Sequence, residues 1–328
     1  MPIFRLLTLA QLFILPAFLH AQCLSGDCAN GVGKYKYKNE DVYEGNFKNG
    51  YSDGKGKISY SDGDSYEGEW KNGSWNGRGT YNWKDGRRYT GETKDGYFEG
   101  FGNFVGTDST RYEGNWSLGK YDGKGKYYFK DGRTYDGYWL KGLKSGKGKF
   151  NWTDGGSYDG EWKEDKMNGF GKRIYKAGDY YEGYFVADIR EGTGKYFYTN
   201  KEQYSGEWKQ NKKSGKGMHT WPDGKKYEGD FLDGDADGIG KLTLANQDVY
   251  EGPFKKGFSE GVGKGTYVAG FVYEGEYKAG KFDGKGTATY KNGDKYTGEF
   301  KSGEKSGNGR MSYENGEVYD GTHRPPIT

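Results

Sequence analysis

The sequence predicts an all-β protein, an elongated single-layer antiparallel β-meander of tandem 23-residue hairpin repeats, and three observations carry that prediction. Tyrosine recurs at 43, 66, 89, 112, 135, 158, 181, 204, 227, 250, 273, 296 and 319, every interval being 23 residues. A fixed period of that size marks an architecture in which each unit leans on its neighbours and cannot bury its apolar face alone. Within the unit, apolar residues alternate with period two, the strand period. Hydrophobic residues reach only 32%, whereas aromatics reach 18% and glycine numbers 61, so rings must supply the burial that Leu, Ile and Val usually provide. The glycine density and the missing 3.6-residue stripe exclude helix. In-phase aromatics exclude low-complexity disorder.

The elements follow in chain order. Arg5 precedes an apolar run from Leu6 to Leu19, interrupted by Thr8, Gln11 and Pro16, and Leu19-His20-Ala21 offers a small residue for cleavage. Residues 1–21 are therefore expected to be a signal peptide, the run being shorter than the ~20 residues of a membrane span. Gln22 stands where a lipoprotein signal carries a small residue, which argues against lipidation of Cys23. Cys23 and Cys28, the only cysteines, are expected to form a disulfide in an exported chain; a pair of free thiols is the alternative. Residues 22–42 form an N-terminal cap with half a repeat, since Gly31, Gly33, Tyr35 and Tyr37 stand where Gly54, Gly56, Ile58 and Tyr60 stand in the next unit. Twelve full repeats occupy 43–318, and residues 319–328 hold a partial repeat and tail.

Each repeat reads as a hairpin. In Tyr66-Glu67-Gly68-Glu69-Trp70 the tyrosine, glycine and tryptophan share one face and the glutamates the other; Gly77 to Trp83 alternates in the same way. An Asp-Gly or Asn-Gly pair then turns the chain, as at Asp85-Gly86, Asp154-Gly155 and Asn292-Gly293. Counting the marker tyrosine as position 0, the glycine at position 7 gives way only to Asp165, Asp188 and Asn211, residues that tolerate a left-handed backbone, so this position is a turn. The glycines at positions 2, 11 and 13 never become Asp or Asn in a full repeat. A ring from an adjacent strand is expected to lie over all three and leave no room for a Cβ. On the opposite face, Glu67 and Glu69 are expected near Arg78, and Glu44 near Lys55 and Lys57, as cross-strand pairs on a solvated charged surface.

The pattern Tyr-Glu-Gly-Glu-Trp-Lys-Asn-Gly-x-x-x-Gly-x-Gly resembles the MORN repeat, the membrane occupation and recognition nexus family, over residues 29–322. The resemblance implies a single-layer sheet used as a scaffold for protein contacts, with phospholipid association also attributed to the family. The repeat from Tyr89 to Arg111 departs from the pattern, Thr93 replacing the strand aromatic and Asp108-Ser109 the closing Asp-Gly, and a local distortion is expected there.

No catalytic, cofactor or metal site emerges. His219 takes an inward strand position and is expected in the core, and the Gly-rich runs recur without the helix a phosphate loop needs. Carboxylates alternate with lysines on an open face and frame no pocket. A net charge of +3 gives no field that argues for nucleic acid. The expected function is a non-enzymatic scaffold, secreted or periplasmic, that binds a protein partner; dimerisation through the open sheet face is left undecided. The alternative is a lipid- or glycan-binding surface using rings not consumed by packing, with Trp70, Trp75, Trp116, Trp139, Trp162 and Trp208 as the candidate contacts.

Overall fold

The computed structural model describes residues 23–323; the expected signal peptide at 1–21 lies outside the described residues. Among the described residues there are 28 strands and no helix, and every described pairing is antiparallel. The chain divides into two units, one ending at Lys166 and the other starting at Met167. In the N-terminal unit, β1 (Cys23–Gly26) to β13 (Ser157–Lys163) pair each with the next in sequence order. The C-terminal unit takes in β14 (Lys166–Ile174) from its second residue and runs to β28 (Val318–His323) in the same manner. There, β22 (Phe258–Ser259) and β23 (Gly261–Tyr267) both pair with β21 (Val249–Lys255), a single strand interrupted at Glu260. The expected Cys23–Cys28 disulfide is present at the N-terminal end.

One repeat explains the rest. In β11 (Thr134–Leu140) and β12 (Leu143–Asn151), Tyr135 opposes Phe150 and Gly137 opposes Gly148, after which the register shifts before Trp139 pairs with Lys144. This bulge leaves the Tyr138 carbonyl outside the ladder, and the Tyr135 hydroxyl donates to it at 2.9 Å. The same bond joins the marker hydroxyl to the carbonyl three residues on in every full repeat, for example Tyr43 to Asn46 and Tyr250 to Pro253. A phenylalanine would bury equally well but would leave that oxygen unpaired. Tyrosine is required by the bulge.

The same ring explains two of the three constant glycines. A Cβ on Gly148 would stand 2.3 Å from the Tyr135 hydroxyl, and one on Gly137 would meet the Gly148 Cα at 2.5 Å. The covering ring belongs to the same hairpin, and its partner strand supplies the second glycine. Position 11 corrects the expectation: Gly146 lies at φ +63° inside the bulge, with the side chain of Tyr138 above it and no marker ring. Its equivalents Gly77 and Gly238 also take positive φ and face Glu69 and Asp230.

The tight turn at Lys141 (φ 51°) and Gly142 (φ 91°) has two left-handed residues, the geometry that matches strand twist. Position 7 is thus a turn as expected, while position 6 takes the same backbone in Leu118 and Ala187, residues that avoid it intrinsically. The opposing Asp-Gly loop differs: only Gly155 (φ 90°) is left-handed, and the Asp154 carboxylate accepts the Gly156 N–H at 2.9 Å.

The expected distortion at Tyr89–Arg111 does not occur. Strands β7 (Arg88–Lys94) and β8 (Tyr97–Val105) keep the register seen in β11 and β12. Ser109 (φ 72°) occupies the glycine's place, steadied by Asp108, whose carboxylate accepts the Thr110 N–H and hydroxyl. The space vacated at Thr93 is taken by rings at position 9 of two successive repeats. Trp75 stacks on Tyr66 at 4.6 Å and Phe98 on Tyr89 at 3.8 Å.

Candidate interaction surface

Through the repeats from Tyr43 to Trp208 the ring face is closed by packing. Marker tyrosines 43 to 204 are fully buried, and where a ring stands four residues on they meet it at about a right angle, as Tyr135 does with Trp139 and with the equivalent Trp162 of the next repeat; Thr93 interrupts the series, and the Tyr66 hydroxyl hydrogen-bonds to it at 3.1 Å. All six candidate tryptophans lie inside this layer. Five donate their indole N–H to a backbone carbonyl of the preceding repeat: Trp70 to Gly56, Trp116 to Gly102, Trp139 to Gly125, Trp162 to Gly148 and Trp208 to Gly194. The sixth, Trp75, is clamped between Tyr66 and Phe98 and its indole nitrogen has no partner among the described residues. Packing and backbone bonding consume most of the surface these rings would offer a ligand.

Four positions in the ring layer hold cations where other repeats place Trp75, Phe98 or Tyr121. Lys144 sits over Trp162 at 5.0 Å, Arg190 over Trp208 at 4.3 Å, Lys213 over Tyr204 at 5.2 Å and Lys305 over Tyr296 at 4.8 Å. In the sequence a cation at an inward position reads as an interruption of the pattern, so none of the four stands out there. Beside Lys213, His219 lies buried as expected, its Nδ1 3.2 Å from the Lys213 amine and its Nε2 3.2 Å from a Glu202 oxygen. Burial and the neighbouring ammonium lower the His219 pKa to about 4, and burial lowers that of Lys213 to about 8.

The opposite face is open. Its ion pairs reach chiefly across to the neighbouring repeat: Lys34–Glu44, Lys216–Asp230, Lys241–Glu251 and Lys264–Glu274 at 2.6–3.3 Å. The Lys264 amine is raised and the Glu274 carboxyl lowered by their shared hydrogen bond. In register Glu69 opposes Lys55 of the preceding repeat and Arg78 opposes Glu92 of the next, while the Glu69 side chain lies over Gly77, beside Arg78 in its own hairpin. Several carboxylates at position 3 also accept a backbone N–H from the bulge, as Glu207 does from Lys216 and Asp230 from Ile239.

Apolar side chains interrupt the charges on this face in each unit. Phe101 and Tyr138 are half exposed in the N-terminal unit; in the C-terminal unit Phe170 and Tyr184 form an edge-to-face pair at 5.5 Å while 46% and 49% exposed. Nearby, Tyr180 stacks on Phe197 at 4.4 Å with the Lys172 amine over it at 4.2 Å. The sequence signal lies at positions 3 and 12, where Tyr and Phe replace Glu and Lys. No cluster of three metal-ligating side chains occurs among the described residues.

The family model for the MORN repeat matches ten segments: 43–65, 66–87, 112–132, 135–157, 158–180, 181–203, 204–226, 227–249, 273–295 and 296–318, well over half of the chain. No curated protein matches it. Among solved structures, the chain is similar to the TCP domain of Drosophila melanogaster SAS-4 bound to a proline-rich motif of Ana2, with 18% identity, TM-score 0.27, and coverage of 54% of this chain and 85% of that one. It is also similar to the G-box domain of the microcephaly protein CPAP (14%, TM-score 0.34, covering 54% and 97%) and to the Danio rerio CPAP TCP10 domain (10%, TM-score 0.23, covering 88% and 99%). At these scores the likenesses carry no argument about function.

Proposed function

The chain belongs to the MORN repeat family, and from that we propose that it is an exported, non-enzymatic scaffold that binds a protein partner through its open, charged sheet face. One observation carries the reading. Most of the ring face is spent on packing, whereas the other face presents charged and half-exposed apolar side chains at a spacing set by the repeat. Regular spacing suits an extended partner that reads several repeats at once, and exposed apolar groups rimmed by charge suit a protein contact. Export is supported by the apolar run from Leu6 to Leu19 and by the Cys23–Cys28 disulfide.

The test is site-specific photo-crosslinking in the native compartment, with the reactive group at Asn103 or Lys149 on the open face and at Asp85 on the loop edge as control. Defined adducts from the face positions alone are expected; adducts of equal yield from all three, or none, would overturn the assignment.

A second reading, a lipid- or glycan-binding surface, is supported by Phe170 and Tyr184, which are exposed without being needed for the core. Flotation with liposomes and retention on a glycan array discriminate. Binding lost in Phe170→Ser/Tyr184→Ser would favour the second reading over the first.

A further inference from the structure

The last complete ring-face groove of the C-terminal unit differs from the others in a way that makes a ligand site. It runs over β24 (Phe271–Lys278), β25 (Lys281–Thr289), β26 (Lys295–Lys301) and β27 (Glu304–Ser312) and is lined by Phe271, Phe282, Tyr290, Phe300, Met311 and Lys305. It lacks a ring at position 15, which holds Tyr81, Phe104, Tyr127 or Phe150 in earlier repeats: Met311 stands there and lines the groove, while Ala288 of the preceding repeat is fully buried. Removing a ring from that position leaves the faces of Phe271 and Tyr290, 5.5 Å apart, along the wall.

Charge sets the ligand class. Three of the four cations at position 9 have an electronegative partner: Lys144 has Asp165 at 3.5 Å, Arg190 the side chain and carbonyl of Asn211 at 3.3 and 2.8 Å, and Lys213 the His219 ring at 3.2 Å. Lys305 has the π faces of Tyr290 and Tyr296 at 5.0 and 4.8 Å and the Met311 sulfur at 4.0 Å, and among the described residues no carboxylate pairs with it. Asp294 at the rim is tied to its own loop and to that of the next repeat, accepting from the Asn292 amide and the Glu314 N–H. Ring quadrupoles and a thioether offset only part of the loss of water around an ammonium. A half-buried cation among rings lacks an anion.

We infer that this groove binds a small aromatic anion, a carboxylate or sulfonate carried on a flat apolar body, with Lys305 holding the charge and Phe271, Phe282 and Tyr290 the ring. The site is independent of the open face and stands or falls apart from the scaffold reading.

The probe is 8-anilinonaphthalene-1-sulfonate, titrated by fluorescence against the full folded chain. Saturable binding with a blue shift is expected. Lys305→Met, which keeps the aliphatic stem, should weaken it roughly tenfold or more, the scale of one desolvated charge contact. Lys305→Arg should retain affinity, and Lys144→Met, which removes a cation already paired, should not change it. Benzoate against benzyl alcohol, followed by shifts of the ring protons of the ligand, tests the anion preference separately. Absence of saturable binding, equal affinity of the Lys305→Met chain, or equal binding of the alcohol would each overturn the inference. A circular dichroism melt of every variant separates loss of the site from loss of the fold.

Discussion

At the scale of single residues, the marker tyrosine does three things at once: it fills the core, excludes any side chain from two glycines, and pairs the carbonyl that the bulge sets free. Tyr135→Phe tests the last alone. The ring stays and the Tyr138 oxygen loses its donor, so a loss of ~1–3 kcal/mol is expected in chemical denaturation. Two glycine variants separate crowding from backbone strain. Gly155→Ala adds a methyl into open space at φ +90° and should cost ~1–2 kcal/mol, whereas Gly148→Ala drives a Cβ into the Tyr135 ring and should cost more than that or abolish folding. His219 supplies a pH-dependent variant. Its folded pKa of about 4 lies below the ordinary value of 6.5, so the unfolded chain binds the extra proton and stability falls as pH drops through that window. His219→Tyr, which restores the ring of the other repeats, should flatten the pH dependence of the melting temperature between pH 6.5 and 4.

At the scale of the hairpin, the tight turn is tied to the preceding repeat by carboxylates outside the ring pattern. The bulge aims the side chain at position 10 outward, where Asp122 accepts the Lys141 N–H at 3.0 Å, Glu99 that of Leu118 at 2.9 Å and Glu260 that of Ala279 at 3.0 Å. Each ties a left-handed residue of the next turn. This restraint helps hold Leu, Lys and Ala in a conformation that usually falls to Gly or Asn. Where position 7 is Asp or Asn, the bond runs the other way: Asp165, Asp188 and Asn211 accept from Lys144, Met167 and Arg190. Asp122→Ala should therefore cost ~0.5–1.5 kcal/mol and raise amide exchange in the turn at Lys141 before it affects the strands. Unchanged exchange at that turn would refute the role given to Asp122.

At the scale of the whole molecule, burial of so many phenols makes stability depend on alkaline pH. Desolvation raises Tyr66, Tyr227, Tyr250 and Tyr273 to about 12 from an ordinary 10, and other marker tyrosines further. A raised folded pKa contributes stability that is complete below pH 10 and is lost as pH climbs through the folded value. Cooperative unfolding is expected between pH 10 and 12, together with the ultraviolet signature of tyrosinate, and phenols titrating as in free peptide with the sheet intact would contradict it. Repeat proteins are least stable where a neighbour is missing. Tyr319 is 52% exposed while the inner marker rings are closed over, so β28 should lose amide protection first.

The sequence by itself determined the period, the hairpin, the face on which the rings lie and the turn at position 7, because each depends on local spacing and on the φ a residue tolerates. It also placed His219 in the core and paired Cys23 with Cys28. Tertiary structure alone decided what covers what. Spacing cannot reveal a bulge, so it could not distinguish the left-handed Gly146 from the crowded Gly148, nor foresee that Thr93 would be compensated by Trp75 and Phe98. The same limit explains the candidate surface: tryptophan looks available in a list of residues, yet its indole is spent on the backbone of the preceding repeat. Phe170, Tyr184 and Lys305 gain their meaning only from the neighbours that three-dimensional pairing provides or withholds.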